Sequence, residues 1–199
     1  MPAQFKTVVG RDRANFGLTA DEKAAASSAI FTNNIRVAFL AFAFGIAAAI
    51  GSAVVLVYQG VMLGTVFGLT IDAGNGRALF EFVFPHGVLE LTCIVVAGAA
   101  GMRMGWALVA PGRRRRRDAL VAEARPAAEM ALGTAMCLVV AGIVEGSVST
   151  SGIGLAPAIT LGLALGSAYW ALVLWRGRPE RGEPTRGWRD VRVAPATSP

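Results

Sequence analysis

The feature that most constrains this chain is a set of four apolar windows, residues 35–57, 88–109, 127–148 and 153–175, each long enough to cross a lipid bilayer. About 20 residues rising roughly 1.5 Å each cover the hydrocarbon thickness. The last window carries no charge, and the others carry only Arg36, Glu90, Arg103, Glu129 and Glu145. Backbone polar groups in lipid must be satisfied within the segment, so such windows fold as helices. Composition agrees: 54% of residues are hydrophobic and 16% are charged, where soluble domains carry about a quarter charged. The expected fold is all-α, a polytopic transmembrane helical bundle with about four full crossings plus a re-entrant or broken helical segment.

Basic residues set the orientation, because Lys and Arg collect in short cytoplasmic segments. Arg113, Arg114, Arg115, Arg116 and Arg117 come after Pro111-Gly112, and the tail carries Arg178, Arg181, Arg186, Arg189 and Arg192. Lys6, Arg11, Arg13 and Lys23 mark the amino-terminal segment. Both termini are therefore expected in the cytoplasm, on the inner membrane of a cell, with an even number of crossings between them. The chain divides into three regions: residues 1–29 as a cytoplasmic segment, 30–176 as the transmembrane domain, and 177–199 as a disordered basic tail. No cleavable signal peptide is visible, since the first thirty residues lack an apolar core. Within them Thr19 and Glu22 have capping-box spacing, which predicts a short amphipathic helix running toward Phe31 along the inner surface.

The stretches 61–70 and 79–86 are apolar but too short to span alone. They read either as a re-entrant hairpin turning at 72–76, or as one long kinked helix over 79–109 with 61–70 at the interface. Gly60, Gly64 and Gly68, like Gly101 and Gly105, Gly142 and Gly146, and Gly162 and Gly166, are spaced for close helix contact and possible self-association. Trp106, Tyr169, Trp170 and Trp175 sit near expected cytoplasmic helix ends, where aromatic rings favour the interface. The arginine run is suited to anionic lipid at roughly 1 kcal/mol per residue. Topology accounts for the basic charge, so no nucleic-acid role is assigned. Cys93 and Cys137 lie inside expected helices without a CxxC pattern and read as small core residues.

Against this background one polar cluster stands out. Phe84-Pro85-His86-Gly87-Val88-Leu89-Glu90 places the single histidine and a carboxylate in membrane-compatible sequence. Ionisable groups at membrane depth are costly and mark functional sites. With Pro85 starting a helix, His86 and Glu90 share one face. Counting helical rise from the cytoplasmic ends brings Glu145 to a similar depth. Such a cluster can bind a cation, hold a proton, or tie helices together by hydrogen bonds worth about 1 kcal/mol each. A zinc protease needs more ligands than one histidine readily supplies, and HExxH, nucleotide-loop and serine-elbow motifs are missing. No catalytic residue, metal or cofactor is assigned on sequence grounds.

Four segments resemble a known family: 30–38 (IFTNNIRVA), 59–64 (QGVMLG), 84–91 (FPHGVLEL) and 141–146 (AGIVEG), in this order. Together they look like the stage II sporulation protein M family of integral membrane proteins. The resemblance implies a multi-pass inner-membrane protein whose namesake works with cell-wall hydrolases during engulfment. Many relatives occur in bacteria and archaea that form no spores, often beside a MoxR-type AAA ATPase. It also implies a polar site at Asn33, Asn34, His86, Glu90 and Glu145, with Asn33 or Asn34 capping the first crossing. The chain departs from longer members in having only about thirty residues before the paired asparagines.

Three functions fit. The favoured one is a non-catalytic scaffold or recruitment subunit of an envelope-remodelling complex, with lipids, other envelope membrane proteins, cell-wall hydrolases or a MoxR-type ATPase as partners. The second is a permease or channel component with its site around His86 and Glu90. The third is an intramembrane hydrolase using Glu90 or Glu145 with His86.

Overall fold

The computed structural model describes residues 19–149 and 151–176. The amino-terminal residues 1–18 and the basic tail from 177 onward, with the expectations placed on them, lie outside the described residues. The chain is an all-α bundle: α1 (Ala20–Ala43), a 3-10 turn (Phe44–Ile46), α2 (Ile50–Asp72), α3 (Gly76–Val109), α4 (Arg116–Val144) continuing as a π turn (Glu145–Ser149), and α5 (Leu155–Arg176). Five helical stretches are long and apolar enough to cross a membrane.

α3 is the hub, since each of the other four helices packs against it. Residue contacts give the directions. Asn34 meets Glu90 and Phe42 abuts Gly101, so α1 runs parallel to α3; Ala49 abuts Gly105 and Leu56 abuts Gly98, so α2 runs back. Ala127 packs with Ala100 and Met104 while Ser149 reaches His86, which makes α4 antiparallel to α3. Gly162 and Gly166 lie against Phe84 and Val88, so α5 is parallel to it. The core joins Val37 and Ala38 of α1, Leu89, Cys93, Ile94 and Ala97 of α3, Leu138 and Ala141 of α4, and Tyr169 of α5.

The window 35–57 is not one crossing. The chain reverses between α1 and α2, with Ala48 and Ala49 in the left-handed region at φ 53° and 68°. Glycines permit the reversal to press on α3. A Cβ at Gly105 would lie 2.0 Å from the Gly45 carbonyl oxygen and 2.3 Å from the Ala49 nitrogen. Ser52 closes the turn by donating its hydroxyl to the Ala41 carbonyl at 2.5 Å. Left-handed backbone costs an alanine about 1 kcal/mol or more, a cost offset by this packing.

An earlier reversal leaves a longer apolar run for the second helix. The stretch 61–70, expected to re-enter or lie at the interface, is the interior of the full-length helix α2. The expected turn at 72–76 does occur, between Asp72 and Gly76, with Gly74 at φ 78°. The long-helix alternative for 79–109 describes α3, which starts at Gly76 and carries Pro85 inside it. The expected amphipathic helix from Thr19 does not stop near Phe31 but is continuous with the rest of α1. Five traverses are an odd number, whereas both termini on one side require an even one.

Candidate functional site

Three helices converge on one polar cluster. His86 and Glu90 lie one turn apart on the buried face of α3, Asn34 projects from α1, and Glu145 and Ser149 come from the π turn that ends α4. His86, Glu90 and Glu145 are 2%, 3% and 0% exposed. The π turn widens the helix after Val144 and turns both Glu145 and Ser149 toward α3, a local irregularity often found at functional sites.

Two contacts orient the cluster. The Asn34 amide donates to Glu90 Oε2 at 2.5 Å, and Ser149 Oγ lies 2.8 Å from His86 Nδ1. Ser149 engages Nδ1, which leaves Nε2 on the Glu90 side, 3.9 Å from Glu90 Oε2. Phe82 packs edge-on against the imidazole with ring centroids 5.6 Å apart. One nitrogen of His86 and one oxygen from each glutamate all lie within 4.8 Å of one another. Glu90 Oε1 and both carboxylate oxygens of Glu145 are buried without a hydrogen-bond partner. Orphaned buried oxygens are expensive, so this cluster is not a routine packing element.

The sequence expectations divide here. His86, Glu90 and Glu145 are brought together, and Asn34 joins them, but as a hydrogen-bond donor from inside α1. Neither asparagine caps a helix: α1 begins with Thr19, whose backbone N–H donates to Glu22 Oε2 at 2.9 Å and whose hydroxyl accepts from the Glu22 backbone at 3.3 Å. Asn33 faces outward, away from the cluster. Ser149 was missed, because it sits in a Gly/Ser-rich stretch that reads as an outer loop. Its spacing of four from Glu145 was the available signal.

Outside the cluster, Arg113, Arg114, Arg115, Arg116 and Arg117 are all exposed around the α3–α4 connection. Arg103 pairs with Glu123 beside them. Trp106, Trp170 and Trp175 are exposed as an interfacial role requires, but Tyr169 is buried in the core and is not an interface anchor. Cys93 and Cys137 are free thiols, Cys93 buried and Cys137 partly so. Among the described residues, nothing lies within 4 Å of a Cβ placed on Gly60, Gly64 or Gly68.

A family model described as SpoIIM: Stage II sporulation protein M matches residues 3–150, from before α1 to the end of the π turn. No curated protein and no solved structure matches the chain.

Proposed function

The chain belongs to the stage II sporulation protein M family, and from that premise we propose that it is a non-catalytic multi-pass subunit that recruits other membrane proteins to an envelope-remodelling complex in the cytoplasmic membrane. The observation that carries this reading is Arg36. It lies near the middle of the Ala24–Ile46 span, on the outer face of α1, exposed and without a hydrogen bond or ion pair among the described residues. At 1.5 Å per residue it is roughly 15 Å from either end of that span, too far for its side chain to snorkel into headgroups. An arginine facing lipid at that depth costs about 2.5 kcal/mol or more. A carboxylate or hydrogen-bonding groups supplied by another membrane protein offset that cost.

Asn33 and Phe39, exposed on either side of Arg36 along α1, extend the same surface. Enclosure of the His86 cluster supports the non-catalytic part of the reading, because side chains 0–3% exposed present no open face to a substrate. The test is a photo-crosslinking residue at Phe39 in native membranes, with adducts identified by mass spectrometry. A specific protein adduct that disappears in Arg36→Leu, at unchanged protein level and helicity, is the expected result. Adducts to lipid alone, or solute flux in liposomes abolished by His86→Ala, would replace recruitment with the permease reading.

A further inference from the structure

We infer that His86, Glu90 and Glu145 form a binding site for one divalent transition-metal cation of the zinc or manganese type, which fastens α3 to the end of α4 inside the bundle. The donors suit such an ion: one imidazole nitrogen and two carboxylates are the hard and borderline ligands that Zn²⁺ and Mn²⁺ take. Ligand atoms about 2.1 Å from a tetrahedral ion lie roughly 3.4 Å apart. The present spread of 4.8 Å closes by rotation of the two glutamate side chains.

The unpartnered oxygens distinguish a cation from a shared proton. Glu90 Oε1, Glu145 Oε1 and Glu145 Oε2 all lack partners. One proton bridging the carboxylates satisfies two of these three oxygens at most, whereas a metal ion can draw on both carboxylates with either oxygen. Charge balances as well, since a dication with two carboxylates and a neutral imidazole is neutral overall. Among the described residues no basic side chain does this work: Arg36 faces outward and Arg103 is paired with Glu123.

The surrounding groups behave as a supporting shell. Ser149 engages His86 Nδ1, which leaves Nε2 for the ion, and the Asn34 amide holds the Glu90 oxygen nearest the imidazole. Metal-bound histidines and carboxylates are commonly oriented in this way. The absence of HExxH from the sequence does not bear on this site, because the third ligand comes from α4 and not from the helix that carries His86.

The experiment uses full-length protein purified through a histidine-free tag, stripped with chelator and dialysed against Zn²⁺ or Mn²⁺ alone. The expected result is about one ion per chain by elemental analysis, with X-ray absorption showing one imidazole, oxygen donors and no sulfur. Glu145→Gln, which keeps side-chain shape, should weaken binding at least tenfold, and Ser149→Ala by about tenfold through loss of orientation. Circular dichroism on each variant separates loss of ion from loss of fold. A metal-free wild type in both dialyses overturns the inference, as do unchanged stoichiometry in Glu145→Gln and a sulfur ligand in the spectrum. None of these outcomes touches the recruitment reading, which rests on Arg36 and its crosslinks.

Discussion

Replacing Gly105 with alanine should unseat the α1–α2 reversal from α3. The added Cβ would sit 2.0 Å from the Gly45 carbonyl oxygen, 2.3 Å from the Ala49 nitrogen and 3.0 Å from the Ala49 Cα. All three are backbone atoms, so no rotamer change relieves the overlap. Even the tight end of ordinary contact, 3.4 Å, requires the reversal to retreat by more than an ångström. Forced overpacking costs about 1–3 kcal/mol, and here the upper end applies because only a shift of backbone, not of a side chain, can make room for the added Cβ. Alanine's better helix propensity returns up to about 1 kcal/mol, leaving a net loss of roughly 2 kcal/mol. Gly133→Ala in α4 is the matched control, since nothing lies within 4 Å of its added Cβ. That variant should gain a few tenths to about 1 kcal/mol. Unfolding by SDS in mixed micelles, followed by circular dichroism, reads both. Equal midpoints for Gly105→Ala and Gly133→Ala would refute the packed reversal.

Other perturbations probe the same geometry. Asn34→Leu removes the donor to Glu90 and should destabilise by about 1–3 kcal/mol in the same assay; a neutral result would mean that the hydrogen bond is not formed in the membrane. Ala49→Gly relieves the left-handed strain at φ 68°, and with glycine's extra freedom when unfolded set against it should stabilise by a few tenths of a kcal/mol in the same assay; a loss of stability would mean that Ala49 is not strained. Topology is read by impermeant maleimide on intact cells, in a background with Cys93 and Cys137 changed to serine. With five crossings and the arginine run inside, Thr19→Cys, Asn75→Cys and Ser151→Cys should label and Gly112→Cys should not. Protection of Thr19→Cys alone would mean that α1 and α2 do not both cross.

The sequence made the class of fold plain because lipid leaves few options: long apolar windows must be helices, although five helices are long enough to span where about four crossings were expected. It misplaced the first boundary because hydropathy runs unbroken through residues 44–49. The reversal there depends on alanines in left-handed backbone and on glycines of α3 more than fifty residues away, a tertiary fact that no local pattern carries. Moving that boundary converted the expected re-entrant stretch into α2. Within the site, His86 and Glu90 were legible because their spacing fixes a shared helical face, and Glu145 because depth can be counted along a straight helix. Asn34 was identified for the wrong reason. Its residue type suits a helix cap, but Thr19 takes that place fifteen residues earlier, and α1 delivers the amide to Glu90 instead. Ser149 was hidden because a π turn cannot be told from a loop in Gly-Ser-Val-Ser.

The central claim is that α1, α3 and the end of α4 meet at one buried polar centre, and the single histidine makes this directly measurable. Solid-state NMR of the protein in bilayers, with nitrogen-labelled histidine and carboxyl-labelled glutamate, reports which carboxylates approach the imidazole. Two should appear, Glu90 and Glu145, the second abolished by Glu145→Gln, with a hydrogen-bonded Nδ1 that changes in Ser149→Ala. A ring that contacts Glu90 alone, its neighbour one turn along α3, would contradict the convergence of helices on which the account rests.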